Sequence, residues 1–349
     1  MQTKQFIALF AIGCLTVAAT RIAAAGDLAV ANPEAAQKAR RAVERGLVFL
    51  EQDAAAWRNE RQCATCHHGT MTVWAYMEAR SRGYAVNPET VRDTVAWTKE
   101  RLLERIELPR DTRQGWSMVN TPAIYLATMA QAVPSQDAVS PDDLKRIADH
   151  LVRHQESDGA WAWSAAPPKN RPPPFFESDE VATRLAFMAL APHVPPNAAD
   201  QSPARDSRAK AAAWLKNVEL SDTTQAVTLR LLMAVREKES PDYVKSAIGT
   251  LLERQGKDGG WGQLKDRESD AYATGQALYV LNLAGVAGDS AEVQRGVAFL
   301  VASQKEDGSW PMTRRGHPGV TPSDFKIPIT YFGSAWGTLG LMRTVPANK

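Results

Sequence analysis

A chain of 349 residues, 44% hydrophobic and 23% charged, has the length and composition to bury a large core. Its 41 Lys and Arg face 39 Asp and Glu, a net charge of +2, and no basic tract concentrates the positive charge. That balance argues against a nucleic-acid partner, and three cysteines are too few for a disulfide framework in a domain this size.

Residues 1–25 carry the marks of a secretory signal. Lys4 precedes an apolar run from Phe6 to Ala19, and Ala23-Ala24-Ala25 then offers a small-residue cleavage site before Gly26. The run is too short to span a membrane stably. Cys14 after Gly13 would suit a lipoprotein, but Ala11 is a poor match for that signal. The expectation is export, periplasmic or secreted, with no later transmembrane segment and with residues 26–349 forming one domain. Cleavage removes Lys4 and Arg21, which leaves 39 basic and 39 acidic residues, and leaves Cys63 and Cys66 as the mature cysteines.

Two kinds of helix alternate along the mature chain. The first kind is capped and amphipathic. Asn32-Pro33-Glu34, Asn87-Pro88-Glu89, Ser140-Pro141-Asp142 and Ser240-Pro241-Asp242 each place an N-cap residue, a Pro at the first helical position and an acid in the first turn. Asp289-Ser290 repeats the pattern without Pro. Apolar residues then recur at helical spacing, as in Leu144, Ile147 and Leu151, or Val293, Val297 and Leu300.

The second kind is apolar nearly all round and should be buried on most faces. It covers Met71–Ala79, Thr121–Val133, Val181–Leu190, Thr223–Val235, Ala271–Ala284 and Thr330–Met342. Six alternations result, at 32–82, 87–133, 140–193, 202–237, 240–286 and 289–343.

Three of the capped helices run into the same heptapeptide, Gln-x-x-Asp-Gly-x-Trp, at Gln155–Trp161, Gln255–Trp261 and Gln304–Trp310. Fifteen residues before each Gln stands a helix-starting residue, Ser140, Ser240 and Asp289. The Gly of each copy suits a left-handed closure of the helix, and the Trp can pack beneath it. The fourth alternation has lost the motif. Repeats of helix pairs imply stacked units, and six outer with six inner helices predict an all-α toroid, a closed double ring.

These repeats resemble those of the squalene cyclase and protein prenyltransferase β-subunit superfamily over nearly the whole mature chain. The resemblance implies an α/α toroid with a central apolar cavity and an isoprenoid-like small molecule inside it. It also implies that a second, inserted domain, for which this chain is too short, completes such cyclases.

If outer and inner helices alternate in direction, all inner helices begin at one rim. Cys63–His68, Ser117–Asn120, Glu177–Glu180, Asp222, Glu268–Asp270 and Ser323-Asp324 should meet there. Helix N-termini at this rim favour anions.

The sharpest element is Cys63-Ala64-Thr65-Cys66-His67, followed by His68. Cys-x-x-Cys-His is the attachment pattern of haem c: Cys63 and Cys66 would bond the porphyrin and His67 would ligate iron, giving an exported redox protein with a protein redox partner. A local Cys63–Cys66 disulfide in a non-catalytic binding module, a free dithiol, or zinc held by Cys63, Cys66 and the histidines are the alternatives. Met71, Met77, Met118, His193 and His317 are the possible sixth ligands.

The second element is Glu177-Ser178-Asp179-Glu180. It resembles the Asp-x-Asp-Asp motif that opens an inner helix of squalene–hopene cyclases, whose middle Asp protonates the polyene. The resemblance would make Asp179 the general acid, with Glu177 and Glu180 flanking it. Glu268-Ser269-Asp270 repeats the triplet, and plain helix capping explains both copies equally. Two lengthened loops, 165–176 and 311–322, fall on the same face. They mark either a binding face or tolerance of insertion.

Overall fold

The computed structural model describes residues 33–61, 66–106, 115–133, 138–161, 178–197, 199–313 and 326–345; side chains at 66, 105, 115–120 and 326–329 are likewise not described. The expected signal segment, Cys63 and most of both long loops therefore lie outside the described residues.

Twelve α-helices are described: α1 Pro33–Arg61, α2 Thr72–Ser81, α3 Pro88–Arg105, α4 Gly115–Ala132, α5 Pro141–Arg153, α6 Asp179–Leu190, α7 Pro203–Asn217, α8 Thr224–Arg236, α9 Pro241–Leu252, α10 Ala271–Leu283, α11 Ala291–Ser303 and α12 Lys326–Thr344. The odd helices form the outer layer. In α9 the buried position is Leu251, and in α11 they are Val293, Gly296, Val297 and Leu300. The even helices form the inner layer: every residue from Glu180 to Leu190 in α6 and from Ala271 to Leu281 in α10 is buried. Inner neighbours pack in sequence from α4 to α6, α8, α10 and α12, and α12 returns onto α2 and α1. The ring is closed, as the alternation predicts. No described helix is long and apolar enough to cross a membrane.

The caps expected at Asn87, Ser140 and Ser240 form, while Asn32 lies outside the described residues. Asn87 accepts from the backbone N–H of Glu89, and Ser140 makes a reciprocal capping box with Asp143. Ser290, not Asp289, occupies the cap of α11, and its side chain makes no cap bond.

Each Gln-to-Trp motif does more than end a helix. The helices stop before the Gln, and the Gly closes a turn beyond them at φ +100°, +88° and +87° for Gly159, Gly259 and Gly308. The Gln side-chain amide bonds that turn and also the next outer helix. Gln155 Nε2 donates to Ser207 O at 2.8 Å, Gln255 Nε2 to Glu292 O at 2.8 Å, and Gln304 Nε2 to Ala42 O at 2.8 Å. Each Trp indole donates back to its own outer helix, at Leu151, Leu251 and Leu300 O. Each Trp backbone N–H donates to a hydroxyl of the following inner helix, on Thr183, Thr274 and Ser334. One motif thus ties two outer helices and one inner helix, and the third copy closes α11 onto α1. The Gly is obligatory for two reasons. A Cβ would suffer strain at positive φ, and it would stand 2.6 Å from Lys210 O at Gly159 and 2.7 Å from Arg295 O at Gly259.

Burial also sets a pH response. His150 is 3% exposed, with Nδ1 3.2 Å from Ile106 O and its ring 4.1 Å from that of His154. Burial first, then the His154 ring, push its pKa down to about 3. Because this lies below the unfolded value of about 6.5, the unfolded chain binds more protons between the two values. The stability so contributed is present above about pH 6.5 and is lost as pH falls toward 3. Replacing His150→Gln should spare roughly 2–4 kcal/mol of the acid loss, read as a smaller drop in urea midpoint between pH 7 and pH 4. An unchanged drop would remove His150 from the acid transition.

Candidate functional site at the ring rim and axis

The inner helices share a direction, so their N-terminal ends share a rim. α2 is entered there through a π-helical turn, Cys66–Met71, which widens the backbone by one residue per turn and is a frequent feature of functional sites. This turn places both histidines inward: His67 is 4% exposed and His68 0%.

Three elements meet on these rings. Trp57 near the end of α1 stacks face to face on His68, with centroids 4.5 Å apart and planes 3° apart, and meets His67 edge-on at 4.9 Å. Tyr331 of α12 covers His68 from another side at 3.8 Å, and Phe332 contacts His67 at 5.8 Å. Asp53, one helical turn before Trp57, lies 2.8 Å from His68 Nε2 through its Oδ2. His68 Nδ1 faces His67 Nδ1. Thr72 donates to His68 O at 2.8 Å and also contacts the Tyr331 hydroxyl, which in turn donates to Leu50 O.

The electrostatics give this chain of groups a direction. Burial pushes Asp53 up to about 6, with the nearby Asp307 of the ring-closing motif adding to it. Burial pushes His68 down to about 3, and burial together with His68 holds His67 well below the ordinary histidine range. At neutral pH both histidines are uncharged and Asp53 is a carboxylate. His68 then donates Nε2–H to Asp53, its Nδ1 accepts from His67 Nδ1–H, and the lone pair of His67 lies on Nε2. A histidine oriented this way by a carboxylate-linked partner is a competent metal or haem-iron ligand. The donor chemistry at His67 fits the haem expectation. Cys63 and the side chain of Cys66 lie outside the described residues, and among the described residues no group of three or more His, Cys, Asp or Glu could hold a metal ion. Of the possible sixth ligands, Met71 and Met77 are buried in the core, and His193 follows the C-terminus of α6, at the opposite rim. The Met118 side chain and His317 are not described.

Among the described residues the carboxylates of the rim do not gather into one acid site. Asp179 is the first residue of α6 and is partly exposed, while Ser178 supplies the cap by accepting from Val181 N. The buried group beside it is Glu180, 1% exposed. Its Oε1 accepts from Arg184 at 2.9 Å and Arg230 at 2.8 Å, and its Oε2 from Ser221 N at 2.7 Å. Asp270 caps α10 through Ala273 N and also accepts from Gln263 and from Thr313 N. Asp222 pairs with Arg254 at 2.6 Å. Capping and ion pairing account for Ser178, Glu180, Asp222 and Asp270. Glu177 lies outside the described residues.

On the ring axis, all six inner helices contribute to one cavity of about 30 Å³. Its aromatic side is built from Trp74, Tyr279 and Trp336, packed edge to face at 5.4–5.8 Å, with Tyr125 beside them. Aromatic faces of this kind suit apolar and cationic groups. The space holds little more than a water, so a larger apolar molecule would need these rings to move. A more open groove of about 940 Å³ along α3, past Tyr84 and Val86, shares no lining residue with it.

The closed double ring with an aromatic axis defines the class of architecture, an α/α toroid of terpene-cyclase type. The comparisons with known proteins agree. Residues 222–344, from the start of α8 to the end of α12, match the squalene-hopene cyclase C-terminal domain family. The squalene–hopene cyclase of Zymomonas mobilis is 34% identical over 110 residues, which cover 30% of this chain and 16% of that enzyme. A variant of the type II terpene cyclase MstE from Scytonema, solved with geranylgeranyl dihydroxybenzoate, superposes with a TM-score of 0.55 at 14% identity, covering 89% of this chain and 98% of that one. A polysaccharide lyase matches with a TM-score of 0.51 at 10% identity, over 86% of this chain and 96% of that one. At these identities the structural likenesses establish the fold alone, and one ring evidently serves unrelated chemistries.

Asp53, Trp57 and Tyr331 were not singled out by the sequence. A spacing of four on α1 puts Asp53 and Trp57 on one helix face, but nothing local says which residues they meet.

Proposed function

We propose that this toroid binds an apolar, isoprenoid-like molecule on its axis, against the aromatic cluster of Trp74, Tyr279 and Trp336. The carrying observation is the cavity bounded by all six inner helices. The likeness to squalene–hopene cyclase over residues 222–344 supports the reading, as does a neighbour of the same fold holding a geranylgeranyl compound. Catalysis of cyclisation would require a protonated donor in an apolar site. Asp179, the candidate general acid, is partly exposed. Binding is therefore the primary reading, with acid-initiated cyclisation the test of its enzymatic form. The experiment is titration with farnesol, read by tryptophan fluorescence, since Trp74 and Trp336 line the cavity. Saturable quenching that weakens in Trp336→Ala is expected; no saturable change in the intact chain would remove the reading. Incubation with squalene should yield the same output from the wild type and Asp179→Asn, and loss of a cyclised product in the variant would make Asp179 catalytic.

A second reading is favoured by the rim. Cys63 and Cys66 would attach haem c, with His67 as the iron ligand and export supplying the compartment for attachment. The orientation of His67 through His68 and Asp53 supports this. Such a group supplies one-electron chemistry, and a redox partner protein would dock at this rim. Expression with the cytochrome c maturation system should give covalent haem that Cys66→Ser abolishes. A colourless wild-type product would sink this reading without touching the first.

A further inference from the structure

Beyond the axial cavity, toward the C-terminal ends of the inner helices, lies a second layer of side chains. Glu78 follows Trp74 by four residues on α2, Arg236 follows Leu232 by four on α8, and Arg343 follows Trp336 by seven on α12. Each therefore stands on the helix face that lines the cavity, one or two turns further along. Two of these side chains reach across the ring. Arg236 passes its neighbour α6, which it touches through Met188 Sδ at 4.0 Å, and arrives at α4. There its Nη1 donates to Gln131 Oε1 at 2.8 Å and its Nη2 to Thr128 O at 3.4 Å. Gln131 is held for this contact, because its own Nε2 donates to Met188 O at 2.7 Å. Arg343 passes α2 and reaches the next turn of α4, with Nη2 3.4 Å from Ala132 O. Guanidiniums from α8 and α12 thus converge on the last turns of α4, across one mouth of the axis.

The charges of this layer do not balance. Its buried carboxylate, Glu78, is shared by Arg82 at 2.9 Å and Arg343 at 2.6 Å. Glu237, adjacent to Arg236, pairs with Arg208 at 2.6 Å. Among the described residues Arg236 makes no ion pair: its partners are an amide, a carbonyl and a thioether. Burial pulls its pKa below the ordinary arginine range, and Tyr279 and Glu237 offset that only in part. The negative ends of the inner helices explain why arginines stand at this mouth. They do not explain why one is carried past its neighbour to a glutamine and left without a carboxylate. A guanidinium fixed in this way presents a fork that matches an oxyanion, and Arg236 is partly exposed, so such a group can reach it from solvent.

We infer that the axial ligand carries an oxyanion head, a carboxylate or phosphate, which seats at this mouth on Arg236, with Arg343 one turn of α4 away and the apolar tail directed at Trp74, Tyr279 and Trp336. The inference rests on the proposed apolar-ligand function and adds the charge and orientation of the ligand. A polyene hydrocarbon lacks such a head.

Three C15 probes test it on the full chain at low salt: farnesol, farnesyl phosphate, and farnesoic acid at about pH 8, where the acid is ionised. Both anions should bind about 10- to 100-fold tighter than the alcohol, the increment of a charge-assisted pair, and the tighter of the two identifies the head group. Because Arg236 meets solvent, this advantage should shrink several-fold at about 0.5 M salt. Arg236→Gln should bring the anions to within about threefold of the alcohol while leaving farnesol affinity unchanged, and Arg236→Lys, which keeps the charge but not the fork, should retain part of the preference. An arginine that only caps α4 predicts a lower melting temperature in Arg236→Gln with the order of the three ligands unaltered. That outcome, an alcohol bound as tightly as both anions, or an anion preference indifferent to salt would overturn the inference. Should Arg236→Gln fail to fold, Arg236→Lys and the salt series decide. Binding of none of the three probes would instead remove the apolar-ligand function on which the inference stands.

Discussion

Trp310→Ala is expected to destabilise the chain by about 3–5 kcal/mol, the range for removing a buried indole from a packed core. Trp310 is fully buried, and it serves three elements at once. Its indole donates to Leu300 O of α11 at 2.7 Å, its backbone N–H to Ser334 of α12 at 2.8 Å, and its ring lies against Gly46 of α1 and Gly337 of α12. The third motif is where the end of the chain meets its beginning, through Gln304 and Ala42 O. Loss of the ring therefore opens the seam as well as a cavity. Amide exchange should accelerate first in α1, α11 and α12, ahead of α8 and α9 on the far side. A cost below about 1 kcal/mol in denaturant titration, or uniform exchange, would show that the motif does not close the ring.

Glu78→Ala should cost a comparable amount, about 3–5 kcal/mol, for an electrostatic reason. Glu78 is 0% exposed and holds two guanidinium groups. Arg82 Nε lies 2.9 Å from its Oε1; Arg343 Nε lies 2.6 Å from Oε1, and Arg343 Nη2 donates to Oε2 at 2.8 Å. The Arg343 link bolts α2 to α12, an inner-ring counterpart to the outer seam. Removing the carboxylate strands two part-buried cations, Arg343 and Arg82, whose side chains are 13% and 17% exposed. The loss should fall most on the state in which one partner remains. Glu78→Met combined with Arg343→Met should recover much of the stability that Glu78→Ala loses. A double variant as unstable as the single one would mean that packing of the two side chains, not the stranded charge, sets the cost.

Much of the architecture was legible in the residue order because its causes are local. Caps such as Ser140 and Asn87 satisfy N–H groups two or three residues away, and the apolar period tells an amphipathic helix from a buried one. Both signals act within a few turns, so helix type and order emerged together. The repeated Gln-x-x-Asp-Gly-x-Trp marked the toroid, although its geometric reason did not show: Gln304 bonds a carbonyl 262 residues away. Helix ends were less legible, with α12 running Lys326–Thr344 where Thr330–Met342 was expected, because tertiary packing extends helices beyond their apolar stretch.

The two candidate sites divide along the same line. The sequence by itself determined that a Cys-x-x-Cys-His-His run stands at an outer-to-inner junction, that Glu177–Glu180 opens an inner helix, and that six apolar helices must face inward together. Tertiary structure alone decided what those residues touch. It set His68 between Trp57 and Tyr331, tied it to Asp53, and committed Glu180 to Arg184 and Arg230. The physical reason is closure. Periodicity states which face of each helix is buried, but partners from α1, α2, α4, α10 and α12 are chosen only when the last helix packs back against the first.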